Sequence, residues 1–219
     1  MRTVQVRKYQ CEDEERVKEI FTLGMSEHVP ALFRFVLKQP LSQVVFMCTF
    51  CALLTISKSF LLPFVVVTLM VAGVRMTAVY MSNQNIKTCL RRDLNDITEN
   101  YMKQTGACFW VAETDGRVVA TVACRPNKAQ PGCLELKRVS VLWSHRRMGI
   151  AKALIRTVVD FTRDRGYAAV ILQTAVIQTD AHRLYEAMGF QKIREVFLPE
   201  TITRIINFTL FEYRLDLQR

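Results

Sequence analysis

Val139, Ser140, Val141, Leu142, Trp143, Ser144, His145, Arg146, Arg147, Met148, Gly149, Ile150 and Ala151 form the stretch that decides the fold. A β-branched run passes through a short basic loop holding one glycine, and from Ile150 the apolar residues recur at helical spacing. A loop that feeds a helix in this way turns several backbone N–H groups toward one point, where the helix dipole favours an anion. Gly149 would let a phosphate come close to the backbone. A diphosphate-bearing ligand is therefore expected here. A loop-to-helix glycine is a weak signal by itself, and the arginine pair alone also suits a solvated basic turn.

Working outward, residues 108–113 and 118–124 are β-rich runs joined through Asp115 and Gly116, a strong hairpin signal. Pro131 and Gly132 lead to a third run at 134–142. Downstream the period changes. Residues 150–165 read as an amphipathic helix ending before Gly166, 168–173 as a short buried strand, and 180–188 as a helix capped by Asp180 and stopped by Gly189. The tail, with Phe197, Ile202, Ile205, Phe208, Leu210, Phe211, Tyr213 and Leu215, supplies one or two closing strands. Near the start, 4–9 alternates like a strand, and 12–23 has helical spacing with Val17, Ile20 and Phe21 on one side. Residues 86–102 read as a further helix through Cys89, Leu90, Leu94, Ile97 and Tyr101. This order predicts an α/β chain, a mixed central sheet flanked by helices.

From 41 to 80 the only charges are Lys58 and Arg75. Two short helical arms, 41–57 and 59–74, are predicted to meet near Lys58, with Pro63 near the start of the second. Arms this apolar suit a membrane-inserted hairpin, with a pair of buried core helices as the alternative. Arg34 and Lys38 precede the segment, and Arg75, Lys87, Arg91 and Arg92 follow it, which places both ends in the cytosol. The expected organisation is an N-terminal strand and helix at 1–40, a hairpin at 41–80 and a catalytic core at 84–219. The sequon Asn207, Phe208, Thr209 falls in a strand-like run and reads as unused; a glycan there would make the domain lumenal.

The excess of 30 Lys and Arg over 20 Asp and Glu gives a formal charge of +10, which attracts acidic lipid or a phosphorylated small molecule. The basic residues are dispersed, so nucleic acid is not an expected partner. Seven cysteines lack zinc-type spacing, so no metal is expected. Cys48 and Cys51 form C-x-x-C inside an apolar arm, without the context of a redox motif.

The run from Arg146 to Ala151 resembles the pyrophosphate loop R/Q-x-x-G-x-G/A of the GNAT superfamily of N-acetyltransferases. Residues 178–190 resemble that superfamily's second coenzyme motif, N-x-x-A-x-x-L-Y-x-x-x-G-F, through Ala181, Leu184, Tyr185, Gly189 and Phe190, with Gln178 in place of the asparagine. Arg7 to Gln10, Gly24, Met25, Glu27, His28, Pro30, Phe33, Arg34 and Cys108 to Ala112 narrow the resemblance to the camello-like, membrane-bound N-acetyltransferase 8 branch. One departure is Leu142, where relatives commonly carry an acid.

The resemblance implies the GNAT fold, acetyl-CoA as acetyl donor and an endoplasmic reticulum membrane. It implies that the backbones of Val139 and Val141 pair with the pantetheine arm, Val141 N–H also facing the acetyl oxygen. Amides of Met148, Gly149, Ile150, Ala151 and Lys152 would hold the diphosphate, aided by Arg146 and Arg147, with Gln178 in the second coenzyme motif. Tyr185 is the implied general acid. Glu135, eleven positions before Arg146, is the implied base, or else a glutamate paired with Lys137. Arg138 is a candidate contact for an acceptor carboxylate, or else part of a structural ion pair. The expected acceptor is a small-molecule amine, such as an amino acid or cysteine S-conjugate, reached near the lipid bilayer. The alternatives are a protein lysine and a catalytically silent adaptor of the same fold.

Overall fold

The computed structural model describes residues 4–197 and 206–217. Seven strands, β1 (Val4–Lys8), β2 (Cys108–Thr114), β3 (Arg117–Pro126), β4 (Cys133–Val141), β5 (Ala169–Ala175), β6 (Gln191–Phe197) and β7 (Thr209–Asp216), form one sheet in the order β1-β2-β3-β4-β5-β7-β6. Asp115 and Gly116 take positive φ angles of 51° and 71°, the left-handed pair that a tight hairpin between β2 and β3 demands. Every neighbouring pair is antiparallel except β4 and β5, which need a crossover, supplied by α5 (Ile150–Asp164).

The parallel pair is short. Only Cys133, Leu134 and Glu135 pair with Ala169, Val170 and Ile171, so beyond Glu135 the edge of β4 has no paired strand on the β5 side among the described residues. A bulge opposite Thr121 and Ala123, where Arg138 has φ 56°, bends the free part of β4 further.

Each face of the sheet has its own core. On one, Ile150, Leu154, Ile155 and Val158 of α5 pack on Trp110, Val122, Leu134 and Leu172, and α6 (Thr179–Ala187) adds Tyr185. On the other, α1 (Glu14–Ser26) lays Val17, Ile20 and Phe21 against Phe109, Val111 and Ala123, with Ile86, Leu94, Ile97 and Tyr101 alongside. Gly24 permits this approach, because a Cβ there would stand 2.3 Å from Ser140 Oγ. That hydroxyl donates to the Ile20 carbonyl at 3.1 Å, pinning the end of α1 to β4.

Among the described residues, three helical stretches are long and apolar enough to cross a membrane: Cys11–Leu37, Pro40–Ser57 and Leu61–Arg91. The first bends at Glu27 and His28 into α1 and α2 (Val29–Leu37), and α1 is bound to the sheet. The other two are α3 (Pro40–Ser57) and α4 (Leu61–Arg91), an antiparallel hairpin about 27 and 46 Å long at ~1.5 Å per residue. No residue of α3 is buried, and Leu41, Met47, Ile56, Phe60, Phe64, Leu69 and Met76 stand open to the surroundings. Lys58 turns the chain in the left-handed conformation, its N–H donating to Leu54 O at 3.0 Å.

Several sequence expectations are corrected here. The second arm does not stop at 74; α4 runs on through Arg91, across the expected boundary between 80 and 84, because no proline, glycine or cap interrupts residues 74–86. The helix expected over 86–102 breaks instead at Arg92 and resumes as a π-helical turn, Thr98–Met102. Asp180 is not the cap of α6: Gln178 holds that position, and Asp180 lies in the first turn. Asn207 sits exposed in a turn at φ 52°, while Thr209 is the buried first residue of β7. Ile202 and Ile205 lie outside the described residues.

Candidate active site

The free edge of β4 leads straight into the basic loop. Leu142 N–H donates back to Val119 O on β3 at 3.0 Å, so strand alternation sends the N–H and C=O of Val141 the other way, toward the gap beside β5. A 3-10 turn (Trp143–His145) carries the chain over, and Arg147 and Gly149 then take φ angles of 62° and 79° before α5 begins at Ile150. Left-handed residues in such a turn gather successive N–H groups into a concavity suited to an anion. The first N–H groups of α5 have no carbonyl partner within the helix and carry the positive end of its dipole. Nothing lies within 4 Å of the position a Cβ on Gly149 would take, so the cradle is open.

Side chains around the loop divide into two sets. Arg147, Met148 and Lys152 are exposed. Arg146 turns inward: its Nε donates to Val141 O at 3.2 Å, its guanidinium lies 4.9 Å from the Trp143 ring, and it forms an ion pair with Glu27. Beyond the loop, a cavity of about 290 Å³ between α5 and α6 is lined by Lys152, Arg156, Val159, Ala187, Met188 and Leu215.

The comparisons with known proteins agree with this geometry. The acetyltransferase (GNAT) family model matches residues 78–190. Rat N-acetyltransferase 8 is 38% identical over 216 residues, 97% of each chain, and mouse N-acetyltransferase 8F1 is 40% identical over 196 residues, 88% of each. The chain belongs to the GNAT acetyltransferase family, in its N-acetyltransferase 8 branch. Among solved structures, a GNAT-family acetyltransferase from Staphylococcus aureus Mu50 shares the fold with a TM-score of 0.59 at 18% identity, covering 99% of this chain and 100% of its own. An acetyltransferase from Bacillus anthracis str. Ames, solved in complex with acetyl coenzyme A, has a TM-score of 0.50 at 17% identity over 57% of this chain and 72% of its own. As a GNAT acetyltransferase the protein uses acetyl-CoA, and the open β4 edge ending in an anion cradle fits a long arm capped by a diphosphate.

The remaining sequence candidates fall in distinct places. Tyr185 is buried on α6 beside Phe190 and Tyr213, and burial pushes its phenol above the ordinary value. Glu135 stands at the fork where β4 and β5 part, its carboxylate accepting from Lys137 at 3.0 Å and Arg125 at 3.2 Å. Gln178 keeps its amide within the protein: Oε1 accepts from Thr174 Oγ1 at 2.8 Å and Ala175 N at 3.0 Å, and Nε2 lies 2.9 Å from His28 Nε2.

Arg138 is engaged in a two-point pair with Asp93, Nε to Oδ2 measuring 2.8 Å, and it lies over the Phe21 ring. Tyr101 donates to the same carboxylate. Burial would raise the Asp93 acid, but the Arg138 guanidinium outweighs it and holds the group below its usual range. Asp93, Tyr101, Glu27 and His28 escaped sequence reasoning as site-forming residues. The one available signal was Asp93, an acid beside Leu94 on the apolar side of the expected helix.

Proposed function

We propose that this GNAT acetyltransferase is an N-acetyltransferase of membranes, moving acetyl to the primary amine of an amphipathic small molecule, most simply an amino acid or cysteine S-conjugate. The observation that carries the reading is α4, which runs from the apolar hairpin into the core beside α1, the helix that packs on β4, so the wall of the site is continuous with the segment proposed to enter the lipid. An acceptor partitioned at the bilayer surface reaches the site along that wall. The hairpin brings Arg34 and Lys38 to the same end as Arg75, which supports a cytosolic catalytic domain on the endoplasmic reticulum membrane.

Bound acetyl-CoA supplies an activated thioester. Backbone groups of Val139 and Val141 align its arm along β4, and amides of Met148, Gly149, Ile150, Ala151 and Lys152 fix the diphosphate, with Arg146 and Arg147 contributing charge. Val141 N–H polarises the acetyl carbonyl. Glu135, directly or through water, takes the amine proton as the new N–C bond forms; the C–S bond breaks and Tyr185 protonates the departing sulfur. The Tyr185 phenol, like any tyrosine, carries its proton at neutral pH and so has one to give. Tyr185→Phe is expected to lower kcat by roughly 10²-fold, the usual scale of a lost general acid, with the dissociation constant for acetyl-CoA unchanged. Stopped-flow thiol release and calorimetry separate the two.

The reading as a whole is tested by thiol release from acetyl-CoA by the detergent-purified protein against free amino acids, S-benzyl-cysteine, aspartate and lysine peptides. Preference for S-benzyl-cysteine or another small amphipathic amine is the expected result. Preference for peptides would make the protein a lysine acetyltransferase. Coenzyme binding without transfer would make it an adaptor.

A further inference from the structure

The bend between α1 and α2 reaches both halves of the coenzyme site. Glu27 pairs with Arg146 of the loop, and the adjacent His28 meets Gln178, which opens α6. Gln178 Oε1 already accepts two hydrogen bonds, from Thr174 Oγ1 and Ala175 N, and this fixes which way the amide is turned. Its NH₂ must therefore face His28, and an N–H can be satisfied there only by a ring nitrogen with a free lone pair. His28 is accordingly neutral, with its proton on Nδ1. The groups facing it agree: burial lowers its proton affinity, Arg146 lowers it further, and Glu27 and Asp180 oppose without reversing this.

The turn that His28 supports is the one from which α6 and Tyr185 start. It is held from inside by His182, whose Nε2–H donates to Ala175 O at 3.0 Å, and from the helical side through Gln178. We propose that His28 is a positioning residue for acetyl transfer: as a neutral acceptor for Gln178 it locks the start of α6, and so the helix of Tyr185, to the bend that leads into the membrane hairpin. Protonation at Nε2 would set one donor against another and release the lock. This rests on the acetyl-transfer reading of the site, so one arm of the test does not depend on turnover.

The sign follows from the lone pair. A histidine whose folded form prefers to be neutral contributes fully above its unfolded pKa, near 6.5, and that contribution is lost as pH falls through the lower folded value. The experiment compares full-length wild type with His28→Ala, His28→Gln and Gln178→Glu in detergent. His28→Ala is expected to lower kcat about tenfold, on the scale of one lost hydrogen bond, with little change in KM for acetyl-CoA. His28→Gln keeps an acceptor oxygen without a titrating proton and should restore most of kcat. The ratio of wild type to His28→Gln, in which protonation of the amine substrate cancels, should then fall below pH 6.5. In Gln178→Glu the carboxylate welcomes a protonated His28, and that acid limb should vanish.

With only three histidines in the chain, nitrogen-labelled histidine NMR reads His28 directly. An Nδ1–H tautomer titrating below 6.5 is expected with or without activity. An imidazolium at neutral pH, or an Nε2–H tautomer, would overturn the proposal whatever the kinetics. Identical pH profiles in wild type and His28→Gln would overturn the positioning role even if the tautomer is right. An inactive wild type carrying the expected tautomer would point to failure of the acetyl-transfer reading, leaving the lock itself standing as geometry.

Discussion

Gly149→Glu loses acetyl-CoA binding by at least about 100-fold, ~2.7 kcal/mol at ~1.36 kcal/mol per factor of ten, while the protein still folds. The fold survives because, its chain neighbours aside, no atom of the described residues stands within 4 Å of the new Cβ, and the left-handed φ of 79° costs only about 1–2 kcal/mol. Binding does not survive, because the carboxylate enters a concavity of N–H dipoles at a helix N-terminus, where it takes the place of the diphosphate and repels it. Gly149→Ala separates the effects: it carries the backbone strain without the charge, and should lose no more than about tenfold. Calorimetric titration with acetyl-CoA checks both. Equal losses in the two variants would mean that loop shape, rather than charge, excludes the coenzyme.

Arg138→Met is the substitution expected to cost most stability, about 3–5 kcal/mol at neutral pH, because it strands the Asp93 carboxylate among Phe21, Leu94 and Tyr101. Arg138→Met with Asp93→Leu removes both charges and should recover most of that loss. The pH dependence carries a definite sign. In the wild type Asp93 is held below its unfolded value, so the pair's contribution is present above about pH 4 and fades as the acid is protonated. In the single variant protonation relieves a buried charge, so thermal midpoints of the two proteins should converge on acidification. The double variant also tests the acceptor role considered for Arg138. A stable double variant whose KM for the amine is unchanged assigns the residue to the fold, and one whose acceptor KM rises at least tenfold assigns it to the substrate.

The sheet was legible in the sequence where side chains alternate or a turn demands a residue type. Asp115 with Gly116, Pro131 with Gly132, and Gly149 before Ile150 each mark a place where backbone geometry restricts what can stand there. The continuity of α4 was not legible, because a change from apolar to amphipathic composition near Tyr80 looks like a boundary when only composition is read. In fact the backbone of a helix is indifferent to that change as long as no residue breaks it. The break at Arg92 was missed for the converse reason: Ile86, Leu90, Leu94 and Ile97 keep helical spacing across it, and the pairing of Asp93 with Arg138, 45 positions away, leaves no local signal. The contacts of Arg146 and Gln178 with Glu27 and His28 join residues more than a hundred positions apart, and nothing local signals them.

The unbroken rod from Leu61 to Arg91 has a mechanical meaning. A catalytic domain on a flexible tether sweeps a volume set by linker length, and meets substrates in bulk water at a correspondingly diluted effective concentration. On the membrane reading proposed above, a domain mounted on a stiff helix, with that helix packed into its own core, would stand instead at one height and one tilt above the lipid. Its mouth would then sample a thin layer, and the concentration governing its rate would be the surface density of acceptors dissolved in that layer. Catalysis by such a protein is tuned by how an amine partitions, before any side chain has touched it.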